Sequence, residues 1–148
     1  MYAALQEAEF AFEKDEVPIG AVVVFENRII GRGHNQTQML NDSTAHAEML
    51  AITAASNHLG SKILDKCDIY ITVEPCVMCT GAILLSRIKN VYFGTFEPKQ
   101  GAAGSQYNLL VDNKYNIDIK VYSGIYAEES KNLLQSFFKK KRNFTTDN

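Results

Sequence analysis

The sequence predicts an α/β fold, a three-layer α/β/α sandwich built on a mixed five-stranded sheet. Two observations carry this expectation. Apolar residues recur at helical spacing near both ends of the chain, and between them short β-branched runs alternate with helical stretches. Strands that alternate with helices bury their side chains best as a sheet covered on both faces. Right-handed crossovers then fix which face each crossover helix takes.

From Met1 to Lys14, Leu5, Ala8 and Phe12 share one helical face with acids between them, and Pro18 enforces a break soon after. Ile19 to Phe25 is β-branched and apolar. Glu26-Asn27 separates it from Arg28 to His34, so the pair reads as a tight hairpin whose Asn tolerates positive φ. Gln36 to Asn41 reads as loop. Asp42-Ser43-Thr44 offers helix caps, so a helix starts near Thr44, runs through Ala45 to His58, and ends before a C′ Gly60. Ile69 to Val73 is a short buried strand, Cys76 to Arg87 a helix, and Val91 to Phe96 another strand. Ile117 to Tyr122 alternates as a half-exposed strand should. A last helix from Tyr126 to about Arg142 places Leu133, Leu134, Phe137 and Phe138 on one face.

With 148 residues, 46% apolar and 22% charged, the chain suits one domain over 1–148, and no repeat or linker divides it. No apolar run approaches the roughly 20 residues of a membrane span, so no membrane partner is expected. Glu7, Glu9 and Glu13 exclude a signal peptide. Three cysteines, two of them in a C-x-x-C, fit a reducing compartment, which points to the cytoplasm. The first predicted helix begins at Met1 itself, which leaves open an upstream extension of the natural chain.

The formal charge of −2 speaks against a nucleic-acid partner, but its distribution does not. Lys139, Lys140, Lys141 and Arg142 hold four of the 15 basic residues, leaving 11 basic against 16 acidic over residues 1–138. The body is acidic and the tail is a concentrated positive patch. Such a run fits a solvated helix end, where cations are stabilised by the negative pole of the helix dipole, or an electrostatic contact with a polyanion.

The chemistry concentrates in His46-Ala47-Glu48 and Pro75-Cys76-Val77-Met78-Cys79. A C-x-x-C alone fits a redox pair or a structural metal as well as a catalytic one. The upstream His and Glu change that balance: a His and two thiolates leave a metal with one open position for water, and the Glu need not be a ligand. Cys76 and Cys79 are three apart, so the first turn of a helix puts them on one face, with Pro75 where a missing N–H costs nothing. A helix N-terminus also favours the thiolates that a metal needs. His46 and Glu48 are two apart, about 200° around a helix, so they serve one site only if it caps the helix end. Two helix N-termini are therefore expected to converge on one zinc ion. Zinc with three protein ligands yields hydroxide near neutral pH, and Glu48 is the general acid–base that moves the protons. This fits attack on an amidine-like ring carbon with loss of ammonia. Cys67 is a conceivable fourth ligand that reads better as a free, partly buried thiol. His34 and His58 lack suitably spaced partners and read as ordinary.

These residues resemble the cytidine-deaminase-like superfamily, and more closely the bacterial tRNA-specific adenosine deaminases. The resemblance runs from Glu16-Val17-Pro18-Ile19-Gly20-Ala21 through Thr44-Ala45-His46-Ala47-Glu48 and Glu74-Pro75-Cys76-Val77-Met78-Cys79 to Lys99-Gln100-Gly101-Ala102-Ala103-Gly104-Ser105 and the final helix. It implies a cytidine-deaminase-like fold and conversion of adenosine to inosine at the wobble position of a tRNA anticodon. His46, Cys76 and Cys79 would hold one Zn2+ per chain, with Glu48 as the proton shuttle. By the same resemblance Asn35 hydrogen-bonds the target nucleotide, the Ala47 backbone meets the base edge, Ile19 packs on the ring and Glu97 lies near the sugar. Phe137, Phe138 and the basic run Lys139 to Arg142, Lys141 among them, would meet RNA, with Phe138 the exposed phenylalanine. The implied partners are the tRNA anticodon stem-loop and a second copy of the chain, with no DNA. The family usually has Pro where Ser43 stands and often Asp where Glu97 stands. Two rivals share the motif: a free base or nucleoside deaminase of guanine or cytosine type, and a non-catalytic zinc-bearing RNA-binding subunit.

Overall fold

The computed structural model describes residues 1–146. In chain order the elements are α1 (Tyr2–Glu13), β1 (Gly20–Phe25), β2 (Arg28–His34), α2 (Ala47–Leu59), β3 (Cys67–Val73), α3 (Val77–Ser86), β4 (Asn90–Thr95), β5 (Lys120–Tyr122) and α4 (Ala127–Thr146). Among these residues one five-stranded sheet forms, in the order β2-β1-β3-β4-β5. β1 runs antiparallel to both β2 and β3, and β3, β4 and β5 run parallel, so the sheet is mixed. Glu26 and Asn27 take φ of 48° and 61°, the paired positive values of the hairpin turn that suits twisted strands.

The helices cover both faces. α2 and α3 share one core with the sheet, in which Ala47, Ala51, Ala55, Ile83 and Leu84 pack on Ile69, Ile71, Val91 and Phe93. α2 lies close on β2 because Gly33 and Gly31 have no side chain there: a Cβ would stand 2.2 Å from Ala47 O and 2.3 Å from Ala51 O. α1 and α4 take the other face. Gly20 meets the α1 backbone, Gly94 meets Ser130 of α4, and Phe12 and Phe137 pack edge to face between the two helices.

Several boundaries depart from the sequence reading, each for a local reason. α2 begins at Ala47, not near Thr44, because Asp42 Oδ1 accepts the Thr44 N–H at 2.8 Å and its hydroxyl at 2.7 Å. The Thr44 hydroxyl is thereby used in a turn instead of a cap. β3 begins at Cys67, so that thiol is fully buried in the strand. β5 is only three residues long. The segment before it is looped around Asn113, whose side chain bonds Leu110 O, Ile117 O and the Tyr115 N–H. Tyr126 sits at φ 54°, outside α4, and the helix extends past Arg142 to Thr146.

The topology gathers one end of the sheet. The start of β1 and the ends of β2, β3 and β4 lie side by side, and α2 and α3 both start there. In α/β folds this carboxyl end of the parallel strands is where ligands bind.

Candidate active site

His46 and Cys76 occupy the cap positions of α2 and α3, each with extended backbone (ψ 152° and 177°). Neither side chain caps its own helix. They turn toward each other instead. His46 Nδ1 lies 3.6 Å from Cys76 Sγ and 3.6 Å from Cys79 Sγ. The three donor atoms all fall within 4.8 Å of one another, a group that could hold a metal ion. Two helix N-termini do converge here, although His46 and Cys76 precede the first turns in which the sequence reading placed them. Cys67 does not join them: it begins β3, roughly 20 Å of strand away from Cys76.

The electrostatics follow from crowding these groups together. The Cys76 thiol is pulled down to about 4 because the Cys79 thiol and His46 both hydrogen-bond its thiolate. Cys79, donating that hydrogen bond and buried, is pushed far up. His46 is raised by its bond to Cys76. Burial drives the Glu48 carboxyl upward, against the stabilising pull of its own backbone N–H. This carboxyl, in the first turn of α2, is in contact with Cys79.

A cavity of about 420 Å³ opens above the cluster. Ile19, Asn35, His46, Ala47, Glu48, Glu97 and Phe138 line it, so most of the expected site residues share one wall. Asn35 is buried, its N–H donates to Ile19 O at 3.1 Å, and its side-chain amide bonds no described residue. Glu97 turns one carboxylate oxygen back to the Gln100 N–H. Phe137 is buried and Phe138 is 45% exposed. A second concavity of about 720 Å³ adjoins the first through Glu97, Lys99, Leu134 and Phe138 and continues to Lys139 and Arg142.

Lys141 departs from expectation. It lies outside both concavities, in contact with Asp15, with its ammonium 5.5 Å from the Phe137 ring centroid. Lys140 joins it on Asp15 at 3.6 Å. The reason is helical phase. Gln135, Phe138, Lys139 and Arg142 fall on the cavity side of α4, whereas Phe137, Lys140 and Lys141 face α1.

Two acids matter more to the site than their place in a motif suggests. Glu74 is buried, and its carboxylate accepts the N–H groups of Glu97 (3.3 Å), Ala103 (3.2 Å) and Ser105 (3.1 Å), and the Ser105 hydroxyl. It thereby folds residues 97–105 over the mouth of the cavity. Glu16 does the same for the opposite rim, accepting the N–H groups of Gln38 (3.2 Å) and Met39 (2.7 Å). The available signal was an acid ending an apolar strand at Glu74 and one beside Val17-Pro18 at Glu16. Lys99, Gln100, Leu134, Val17, Thr37 and Val73 also line the cavity, and nothing in periodicity or spacing singles them out.

The chain matches the MafB19-like deaminase family over residues 1–142. It is 47% identical over 140 residues to a tRNA-specific adenosine deaminase of Aquifex aeolicus, covering 95% of this chain and 92% of that protein. A solved structure from work on A-to-I editing by tRNA:A34 deaminases at the wobble position of transfer RNA is similar at a TM-score of 0.87 and 45% identity. The similarity covers 90% of this chain and 97% of that one. A guanine deaminase from Bacillus subtilis is similar at a TM-score of 0.63 and 30% identity, over 93% of this chain and 90% of that one.

Proposed function

We propose, from the premise that this chain belongs to the MafB19-like deaminase family, that it hydrolyses adenosine to inosine at the wobble position of a tRNA anticodon. The observation that carries this choice within the family is the join between the cavity and the basic groove. The pocket holding Glu48, His46 and Asn35 runs on past Phe138 to Lys139 and Arg142. A free base needs the pocket alone. A flipped nucleotide brings phosphates that must lie somewhere, and this groove suits them. Identity of 45–47% to the tRNA-acting relatives, against 30% to the guanine deaminase, supports the same choice.

The donor set fits zinc. Zn–N near 2.05 Å and Zn–S near 2.3 Å in a tetrahedron imply an N···S separation of about 3.6 Å. His46 stands 3.6 Å from each sulfur. His46, Cys76 and Cys79 would hold the ion, which when bound supplies Lewis-acid activation of a water at neutral pH. The residues do the rest. Glu48 takes a proton from the water as its oxygen bonds to C6 and passes it to ring N1. It then takes the proton of the new C6 hydroxyl and delivers it to the amine as the C6–N bond breaks, so adenosine plus water gives inosine plus ammonia. Its burial keeps the carboxyl basic enough for that exchange. Asn35 hydrogen-bonds the nucleotide, the Ala47 backbone meets the base edge, and Ile19 packs on the ring. Lys139 and Arg142 would take phosphates.

A homodimer is part of the same reading. α3 turns an apolar face outward, with Val77 49% and Leu85 67% exposed and Met78, Gly81 and Ala82 between them. Such a stripe on a soluble surface favours burial against a second copy. No described helix is long and apolar enough to cross a membrane. A cytoplasmic site of action agrees with the substrate and with three unpaired cysteines.

The test is to incubate the zinc-loaded protein with an adenosine-34 anticodon stem-loop and, separately, with guanine and cytosine. Inosine in the RNA is expected. Ammonia from a free base with no inosine in the RNA would overturn the reading in favour of a free-base deaminase. RNA binding without either product would leave an RNA-binding subunit. Sedimentation of the chain and of Leu85→Lys checks the dimer, which the substitution should dissociate.

A further inference from the structure

We propose that Glu7 and His34 form a positioning pair that aims Asn35 into the cavity, an inference that rests on the proposed role of that cavity as the substrate pocket. Neither side chain lines the pocket, and neither had an evident partner in the sequence, where 27 residues separate them. The fold brings them together. Glu7 faces the sheet from α1 and is buried against Gly20, so its carboxylate requires partners. It finds them on β2: His34 Nδ1 at 3.2 Å and Arg32 Nη1 at 3.5 Å.

The second ring nitrogen continues the chain of bonds. His34 Nε2 lies 3.1 Å from Gln36 Nε2. A neutral imidazole has one donor and one acceptor. With Nδ1–H given to the Glu7 carboxylate, Nε2 is left to accept from the Gln36 amide, so the carboxylate selects the tautomer that suits both contacts. The Gln36 backbone N–H in turn donates to Ala45 O at 3.0 Å, immediately before His46. Three segments are thus tied at one point: α1, the end of β2 and the approach to α2.

Asn35 sits between the two residues so held. Its own N–H is fixed on Ile19 O at 3.1 Å, but its side-chain amide has no hydrogen-bond partner among the described residues. Among the described residues no side chain holds that amide, so the backbone that carries it does the aiming. His34 is paired with Gly20 in the sheet and the Gln36 N–H is held on Ala45 O, and the Glu7–His34–Gln36 series adds the side-chain ties that lock these two flanking residues together. Loss of the series leaves the amide chemically intact and misdirected, and small misplacements of a substrate-orienting group cost large factors in rate.

The experiment is a double-mutant cycle on kcat/KM for the adenosine-34 stem-loop, with zinc content and melting temperature measured for every variant. His34→Phe keeps a ring beside Phe10, whose centroid lies 6.4 Å away, and removes both hydrogen bonds. It should lower kcat/KM roughly 10-fold to 100-fold with zinc content unchanged. In an Asn35→Ala background the same substitution should change kcat/KM by less than about twofold, since both act through one group. Glu7→Gln, which keeps an acceptor for Nδ1–H, should retain most of the activity that Glu7→Leu loses. Equal losses from His34→Phe in both backgrounds, or no loss in the first, would overturn the proposal. If the RNA is not deaminated but a free base is, the substrate reading fails alone, and the same cycle on that base still decides whether His34 acts through Asn35.

Discussion

A Cβ on Gly101 would stand 2.0 Å from Glu74 Oε2, so the buried carboxylate fills the space that any larger residue at 101 would claim. The two residues shape the rim of the cavity together. Gly101 also bridges Cys76, and the Ala102 N–H bonds Pro75 O at 2.9 Å, so the rim is laced to the segment that carries Cys76. Glu74→Ala strands the buried Ala103 N–H and takes the acceptor from the more open Glu97 and Ser105 N–H groups, so it should cost about 1–3 kcal/mol, the penalty for one buried group left unpaired. Gly101→Ala should destabilise in the same direction by displacing the carboxylate. Urea unfolding of the zinc-loaded protein measures both, and an unmoved midpoint for Glu74→Ala would remove Glu74 from its assigned place.

Glu48 should show function held at the expense of stability. Glu48→Gln preserves volume and removes the proposed proton shuttle, so turnover should fall about 10²-fold to 10⁴-fold with zinc content unchanged. Its effect on folding has the opposite sign. Burial raises the folded-state value of Glu48 above its ordinary one, so the folded state holds the proton more tightly. Stability from this group is full below the ordinary carboxylate range and is lost as pH rises through the raised value. The metal-free Gln variant should therefore exceed the metal-free parent in melting temperature at pH 8, and by less at pH 5. Surviving turnover would end the assignment of Glu48 as the shuttle.

The order of elements was legible because apolar periodicity survives in short windows: each strand of the sheet and each helix of the two layers left its own pattern. The ends were not. Thr44 has the chemistry of a cap, but Asp42 takes its hydroxyl, and the cap position of α2 falls to His46, whose side chain belongs to the cysteine cluster. The zinc-type motif carried its geometry in its spacing, since the two-residue step from His46 to Glu48 permits a shared site only at a helix end. The polar scaffold behind it carried no such mark. His34 was unremarkable until α1 folded Glu7 onto it, and the tail read as one patch because a linear run hides the phase that sends Lys139 and Arg142 one way and Lys140 and Lys141 the other. Periodicity reports which side of an element is buried; it does not report which distant polar group waits there.

Metal uptake should release protons. In the metal-free protein the Cys76 thiol, at about 4, is already ionised at neutral pH, whereas Cys79 is held far up and keeps its proton. His46, raised by its bond to Cys76, holds a proton more tightly than an ordinary imidazole. Binding needs two thiolates and a neutral imidazole, so about one to two protons must leave near pH 7. The apparent affinity for zinc should accordingly strengthen about 10-fold to 100-fold per pH unit from pH 6 to 8, measured by competition with a chromophoric chelator. A flat profile would mean that Cys79 is already a thiolate before the metal arrives.

The basic tail should act as two unlike halves. Lys139 and Arg142 line the groove that continues the cavity, whereas Lys140 and Lys141 converge on Asp15 at the end of α1. Their bond holds the Asp15 carboxyl below its ordinary value, Lys141 contributing most, so the contact stays ionised at assay pH and weakens only on acidification through the lowered value. Each phosphate contact adds close to one unit to the slope of log affinity against log salt. Lys139→Ala should therefore weaken binding of the anticodon stem-loop and reduce that slope by about 1, whereas Lys140→Ala should leave it nearly unchanged. Fluorescence anisotropy at salt concentrations from about 50 to 200 mM reads both. Equal reductions would mean that Asp15 yields Lys140 to the RNA on binding. The double substitution Asp15→Asn with Lys140→Ala then distinguishes a charge released by Asp15 from one that faced the phosphates throughout.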